Sequence, residues 1–284
     1  LLRVGNFVHQ FGLQSSTSSS MKVTMEEPAS NEAFFNSRLM GAMFVYDKND
    51  FFGTASVHVE SEALKKKSNE LGKMGYGAMS RLVYRPLHDT GRLFQLGISG
   101  AYETPRYNSE PTLNHTSFDL GANFPTRIAK VRAVNALIPD AKNLIKFTPE
   151  MIAGYGPVAL EAQYYYLQVN RKKDFKNYKA SGMYGILRGL LIGGNYRYSH
   201  TDCGIATPDS GSLECVFGYN YTDMSDTRSH IYGGRLNDVS FTVNYYINKY
   251  MIWRFRYSYT KITDRVGFEN QSLSAFQTRF QVIF

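Results

Sequence analysis

No run in this 284-residue chain approaches the roughly 20 consecutive apolar residues that a membrane-spanning helix needs, so a helical membrane protein is excluded. Cysteine occurs only at Cys203 and Cys215, which excludes a disulfide-rich scaffold. Both lie in a Gly/Pro/Ser-rich stretch, where a disulfide and a pair of free thiols fit equally well. The histidines at 9, 58, 88, 115, 200 and 230 share no i, i+2 or i, i+4 spacing, so no metal site is read. Gly-x-Ser-x-Gly, a phosphate-cradling glycine loop and zinc-hydrolase motifs are all missing, and neither an enzyme nor a cofactor is expected. The net charge of +8 comes with no nucleic-acid motif and is spread along the chain. No helical heptad and no repeat of fixed period occurs. The chain begins Leu1-Leu2-Arg3-Val4 without a charged n-region or apolar h-region, so no signal peptide is read. An exported protein carries one, and an N-terminal portion is expected to precede this sequence.

Aromatic residues are abundant, with 21 Tyr and 19 Phe against a single Trp. Tyrosine suits a membrane boundary because its ring is apolar and its hydroxyl is wet. The last eleven residues alternate: Phe276, Thr278, Phe280, Val282 and Phe284 share one face, and Gln277, Arg279 and Gln281 the other. A chain that finishes on an apolar strand and an aromatic residue fits the wall of a transmembrane β-barrel. Mean hydropathy is −0.33, a value that reads as soluble. Barrel strands escape that index because only one face of each is apolar.

Similar segments recur from end to end. Met251, Trp253, Phe255, Tyr257 and Tyr259 oppose Ile252, Arg254, Arg256, Ser258 and Thr260. The remaining strand segments are 239–247, 213–222, 180–192, 158–169, 145–153, 127–134, 114–124, 92–102, 76–86, 51–60, 38–46 and 1–8. Short polar turns fall at 47–50, 88–91, 154–157 and 248–250, and long polar loops at 9–37, 61–75, 103–113, 135–144, 170–177, 223–238 and 262–273. Short turns at one end and long loops at the other is the outer-membrane barrel pattern. The stretch 193–212 breaks it, being long where a short turn is due. The reading is all-β: one antiparallel transmembrane β-barrel over 1–284, with about fourteen strands in this chain.

Arg3-Val4-Gly5-Asn6-Phe7, Asn135-Ala136-Leu137-Ile138-Pro139-Asp140-Ala141 and Gly156-Pro157-Val158-Ala159-Leu160-Glu161 resemble segments of the phosphate-selective porin O and P family. Gly233-Gly234-Arg235-Leu236-Asn237-Asp238 and the terminal Arg279-Phe280-Gln281-Val282-Ile283-Phe284 resemble it too. The resemblance implies a sixteen-stranded barrel in the outer membrane of a Gram-negative bacterium, usually a homotrimer, with a first hairpin ahead of this sequence. Its implied partners are small anions, the lipid bilayer and lipopolysaccharide. The family's alternating arginines before a proline are replaced here by Leu120, Ala122 and Phe124 before Pro125. Basic residues follow instead, at Arg127, Lys130 and Arg132.

Pores select by the charge on their walls and by the loops that narrow them. Arg81, Arg85, Arg254, Arg256 and Arg279 fall on the less apolar faces of their strands and are expected to line an anion path. Arg127, Lys130, Arg132 and Arg197 are secondary candidates for it. The alternative for each arginine is an ion pair with a wall carboxylate such as Glu60 or Glu161. Lys65-Lys66-Lys67 is expected in a solvated external loop. The long loop 9–37 either folds inward as a constriction, covers a trimer centre, or is mobile. Two other protein classes stay open: a plugged barrel that scaffolds a larger envelope complex with a protein partner, and a secreted Tyr-rich β-sandwich.

Overall fold

The computed structural model describes residues 1–17, 22–35, 38–126 and 130–283. The terminal aromatic Phe284 and Arg127 lie outside these residues. Twelve strands form one antiparallel sheet: β1 (Leu2–Val8), β2 (Arg38–Lys48), β3 (Phe51–Val59), β4 (Tyr76–Asp89), β5 (Arg92–Glu103), β8 (Ala141–Tyr155), β9 (Val158–Arg171), β10 (Tyr178–Ile192), β13 (Leu213–Asp226), β14 (Ile231–Asn248), β15 (Met251–Arg265) and β16 (Gln271–Val282). Neighbours in sequence are neighbours in the sheet throughout. Two further pairs stand apart: β6 (Phe118–Asn123) with β7 (Arg132–Ile138), and β11 (Tyr198–Ser199) with β12 (Gly204–Ile205). Among the described residues no pairing joins β1 to β16.

Alternation explains the wall. On β15, Trp253, Phe255, Tyr257 and Tyr259 are exposed, while Ile252, Arg254, Arg256 and Ser258 are buried. The exposed face of the sheet is largely apolar, carrying for example Leu82, Ile98, Phe217 and Val239. A soluble protein rarely shows contiguous apolar surface on this scale, whereas lipid requires it. Tyr46, Phe51, Tyr84, Tyr155 and Trp253 lie outward within a few residues of the short turns, as an interfacial aromatic row does. All four expected short turns hold two residues between strands. Three of them use left-handed backbone, at Asn49, Gly91 and Gly156, which matches the twist of the strands they join.

The strand count needs one correction. Segments 114–124 and 127–134 were expected in the wall, yet β6 and β7 pair only with each other. Ala133, Val134, Ala136 and Ile138 are all buried, and the hairpin packs against the inner side of β14 and against α2 (Ala29–Phe34). Val134, Ala136 and Ile138 share the buried face of β7, while Leu137 on its other face and Asp119 on β6 are exposed; with no wall strand paired to either among the described residues, the hairpin takes no place in the wall. Both cysteines are free thiols, Cys203 buried and Cys215 partly so.

Candidate pore interior

The buried face of the sheet is polar. Thr54, Gln95, Thr148, Gln163, Thr242 and Asn244 are each at most 5% exposed. Three segments cover them. The N-terminal segment leaves β1 at Val8, and its described residues 9–17, with α1 (Leu13–Ser16), and 22–35, with α2, lie against the inner face. Gly12 N donates to Ser99 Oγ, Leu13 N to Gln163 Oε1, and Ser30 to Asn220 Oδ1, so it touches β5, β9 and β13. Of the three fates expected for the 9–37 loop, its described residues take the inward one. The β6–β7 hairpin is the second segment, and residues 193–212 are the third, lying at the short-turn end. Beside the N-terminal segment on the long-loop side is a cavity of about 450 Å³ lined by Glu27, Glu32, Phe35, Tyr107 and Arg132. Burial raises the Glu32 carboxyl above its ordinary value, and the nearby Glu27 carboxylate adds to that. On the other side is a chamber of about 80 Å³ lined by Lys22, Glu161, Arg188, Asp202, Tyr246 and Arg254.

Four of the five leading arginines lie buried on the inner face, and Arg279 is partly exposed there. Most are held by carboxylates. Arg81 is fully buried against Glu150, with Nη2 to Oε1 at 2.6 Å, and also donates to Gln10. Arg85 pairs with Asp47 and stacks over the Tyr198 ring at 5.6 Å. Arg256 reaches Asp238 Oδ2 at 3.2 Å and donates to the Pro125 carbonyl. Arg279 donates to Glu26 Oε1 at 2.6 Å and to the Met25 carbonyl. The carboxylates differ from those expected: Glu60 accepts from the Gly75 and Tyr107 amides, and Glu161 from Gln14.

Arg254 differs from the others. It is 1% exposed and donates through Nη1 to the Lys22 carbonyl at 2.6 Å; among the described residues it donates to no carboxylate, and its Nε has no partner. Arg279 stands directly opposite it in the β15–β16 register.

The secondary candidates are dispersed. Arg197 is exposed and pairs with Asp209 within the 193–212 segment. Arg132 pairs with Asp119 across the hairpin, and Lys130 is exposed near its turn. The Lys65–Lys67 run is on the long-loop side, where Lys65 pairs with Glu62.

Sequence reading missed Arg188, Glu214 and Lys146. Arg188 shares a face with the buried Tyr184 and Ile186, a signal that was legible. Glu214 accepts from Arg188, Tyr196, Asn244 and Tyr246, and Lys146 pairs with Glu103 at 2.8 Å. Such partners are far apart in sequence and meet only through sheet register.

An antiparallel sheet with an apolar outside and a charged, hydrogen-bonded inside belongs to an outer-membrane β-barrel. The chain belongs to the phosphate-selective porin O and P family, whose model matches residues 1–284, the whole sequence. Membership makes it an outer-membrane porin of a Gram-negative bacterium, in a family of channels rather than enzymes. Among solved structures it is similar to OmpT, an outer membrane protein of Vibrio cholerae, at 10% identity and a TM-score of 0.52. That match covers 98% of this chain and 73% of the other, and its identity makes it a likeness of fold. No curated protein matches.

Proposed function

We propose that this porin passes small inorganic anions, phosphate among them, by diffusion along its inner face, with Arg254 as the selecting charge. The observation that carries the reading is the surplus cation. Arg81, Arg85, Arg256 and Arg279 are each paired with a carboxylate, and among the described residues Arg254 is not. It borders the chamber with Lys22 and Arg188, so a solute there meets fixed positive charge. Guanidinium stays charged at any working pH and binds oxyanions through forked hydrogen bonds. Unlike its neighbours, it can exchange one anion for the next without first breaking an ion pair. No cofactor takes part. The family resemblance adds a homotrimer in contact with bilayer lipid and lipopolysaccharide.

Reversal potentials across a planar bilayer in a KCl gradient test this. Anion preference that turns toward cations in Arg254→Glu is the expected result, and cation preference in the wild type refutes it. The inward segments favour a second reading, a plugged barrel that scaffolds envelope proteins. A folded protein with no conductance under any voltage would select that one.

A further inference from the structure

The connection between β10 and β13 is the one at the short-turn end that exceeds two residues. Its length is used to cross the mouth. Gly91 N donates to the Tyr196 carbonyl at 2.8 Å, and Tyr196 N donates to the Gly156 carbonyl at 3.0 Å, so the segment is pinned to the β4–β5 and β8–β9 turns at once. Beyond those turns the chain folds back through β11 and β12, and Arg197 straps it to Asp209 at 2.5 Å. Asp202, Gly204, Ile205 and Thr207 then form the floor of the 80 Å³ chamber beneath Arg188 and Arg254.

Two tyrosines hold this floor. Tyr196 and Tyr198 lie two residues apart, just before and at the start of β11. Tyr196 donates its hydroxyl to Glu214 Oε1 at 2.7 Å, and Tyr198 donates to Gln95 Oε1 at 2.6 Å. Gln95 in turn donates to Glu150 Oε1 at 3.0 Å and to the Cys203 carbonyl at 3.4 Å. The stopper is therefore attached to the Arg81–Glu150 pair on one side and to the Glu214 hub on the other. Burial, with the Glu214 charge beside Tyr196, pushes both phenols far above their ordinary range, so they remain donors at any physiological pH.

We propose that residues 193–212 are the size-selecting element of this porin: a stopper at the short-turn mouth, pinned through the Tyr196 and Tyr198 hydroxyls, sets the exclusion limit. The proposal rests on porin membership and not on anion preference. Gly193-Gly194 and Gly211-Ser212 flank the segment, so deleting residues 195–210 leaves a four-residue hairpin link between β10 and β13.

The experiment compares the folded wild type, the 195–210 deletion and Tyr196→Phe/Tyr198→Phe in planar bilayers and in liposome swelling with neutral sugars. Folding is checked by heat-modifiable gel migration. The deletion is expected to raise single-channel conductance about threefold or more and to admit a trisaccharide that the wild type excludes. The double Phe variant keeps both rings and the backbone bonds of residue 196 to the two turns and loses only the two hydroxyl pins, so its current should step between the two levels. A folded deletion variant with wild-type conductance and exclusion limit overturns the proposal, as does one that is silent like a silent wild type. If the deletion does not fold, the double Phe variant decides: raised conductance supports the stopper and unchanged conductance removes it. Reversal potentials of the widened channel report anion preference separately, so either idea can fail alone.

Discussion

Arg81 and Glu150, 69 residues apart, are both fully buried and joined by two hydrogen bonds, Nη2 to Oε1 at 2.6 Å and Nε to Oε2 at 3.1 Å. Removing one partner of such a pair strands a charge that the interior cannot solvate. Glu150→Ala should cost about 3–5 kcal/mol, and Arg81→Met/Glu150→Leu should recover most of it. Equilibrium unfolding in urea with the protein in lipid vesicles measures both. Equal losses in the single and double variants would show that the charges do not act as a pair.

The outward face is expected to tolerate no charge at mid-strand. Ile98 is 53% exposed, central in β5 and opposite Leu82 of β4. Ile98→Arg should destabilise the inserted barrel by about 2–4 kcal/mol, the cost of a midplane cation on a lipid-facing wall. Lys66→Glu, in an external loop, is the matched control and should change little.

Gly233 makes room for the inward hairpin. A Cβ there would meet the Met224 carbonyl oxygen at 2.7 Å and Ala136 Cβ at 2.9 Å. Gly233→Val should therefore push β7 from the wall and cost about 1–3 kcal/mol. Faster proteolysis within 118–138, with the wall strands still protected, is the expected readout. A protease pattern identical to the wild type would count against close packing at this point.

His9, at the start of the inward segment, is 1% exposed, with Nε2 3.3 Å from the Leu39 carbonyl and its ring 5.2 Å from that of His58. Burial pushes its pKa below the ordinary value of 6.5, against the pull of the Leu39 carbonyl. Between 6.5 and the lowered native value the unfolded chain holds the extra proton, so stability drops as pH drops. Melting temperature should decline from about pH 7 to about pH 5, and His9→Gln should flatten part of that slope. Identical slopes in the two proteins would remove His9 as a source.

Twelve of the fourteen expected strand segments are wall strands, and β5 and β8, expected to be separated by two strands, are direct neighbours. Trp253 outward and Arg254 inward follow from alternation alone, and Gly156-Pro157 declares its turn. The hairpin segments 114–124 and 127–134 misled because an alternating strand against an inner wall looks locally like an alternating strand in the wall. The same limit applies to the arginines: alternation placed Arg81 inside but could not supply Glu150.

The family, the all-β wall, its short turns and which residues face inward are legible in the residue order, because the pleat repeats every two residues and turn geometry is set by adjacent ones. Only the tertiary structure decided what fills the interior. The inward course of residues 9–17 and 22–35, the β6–β7 hairpin, the stopper at 193–212 and the partner of each buried arginine all depend on contacts between residues tens to hundreds of positions apart, which no local period encodes.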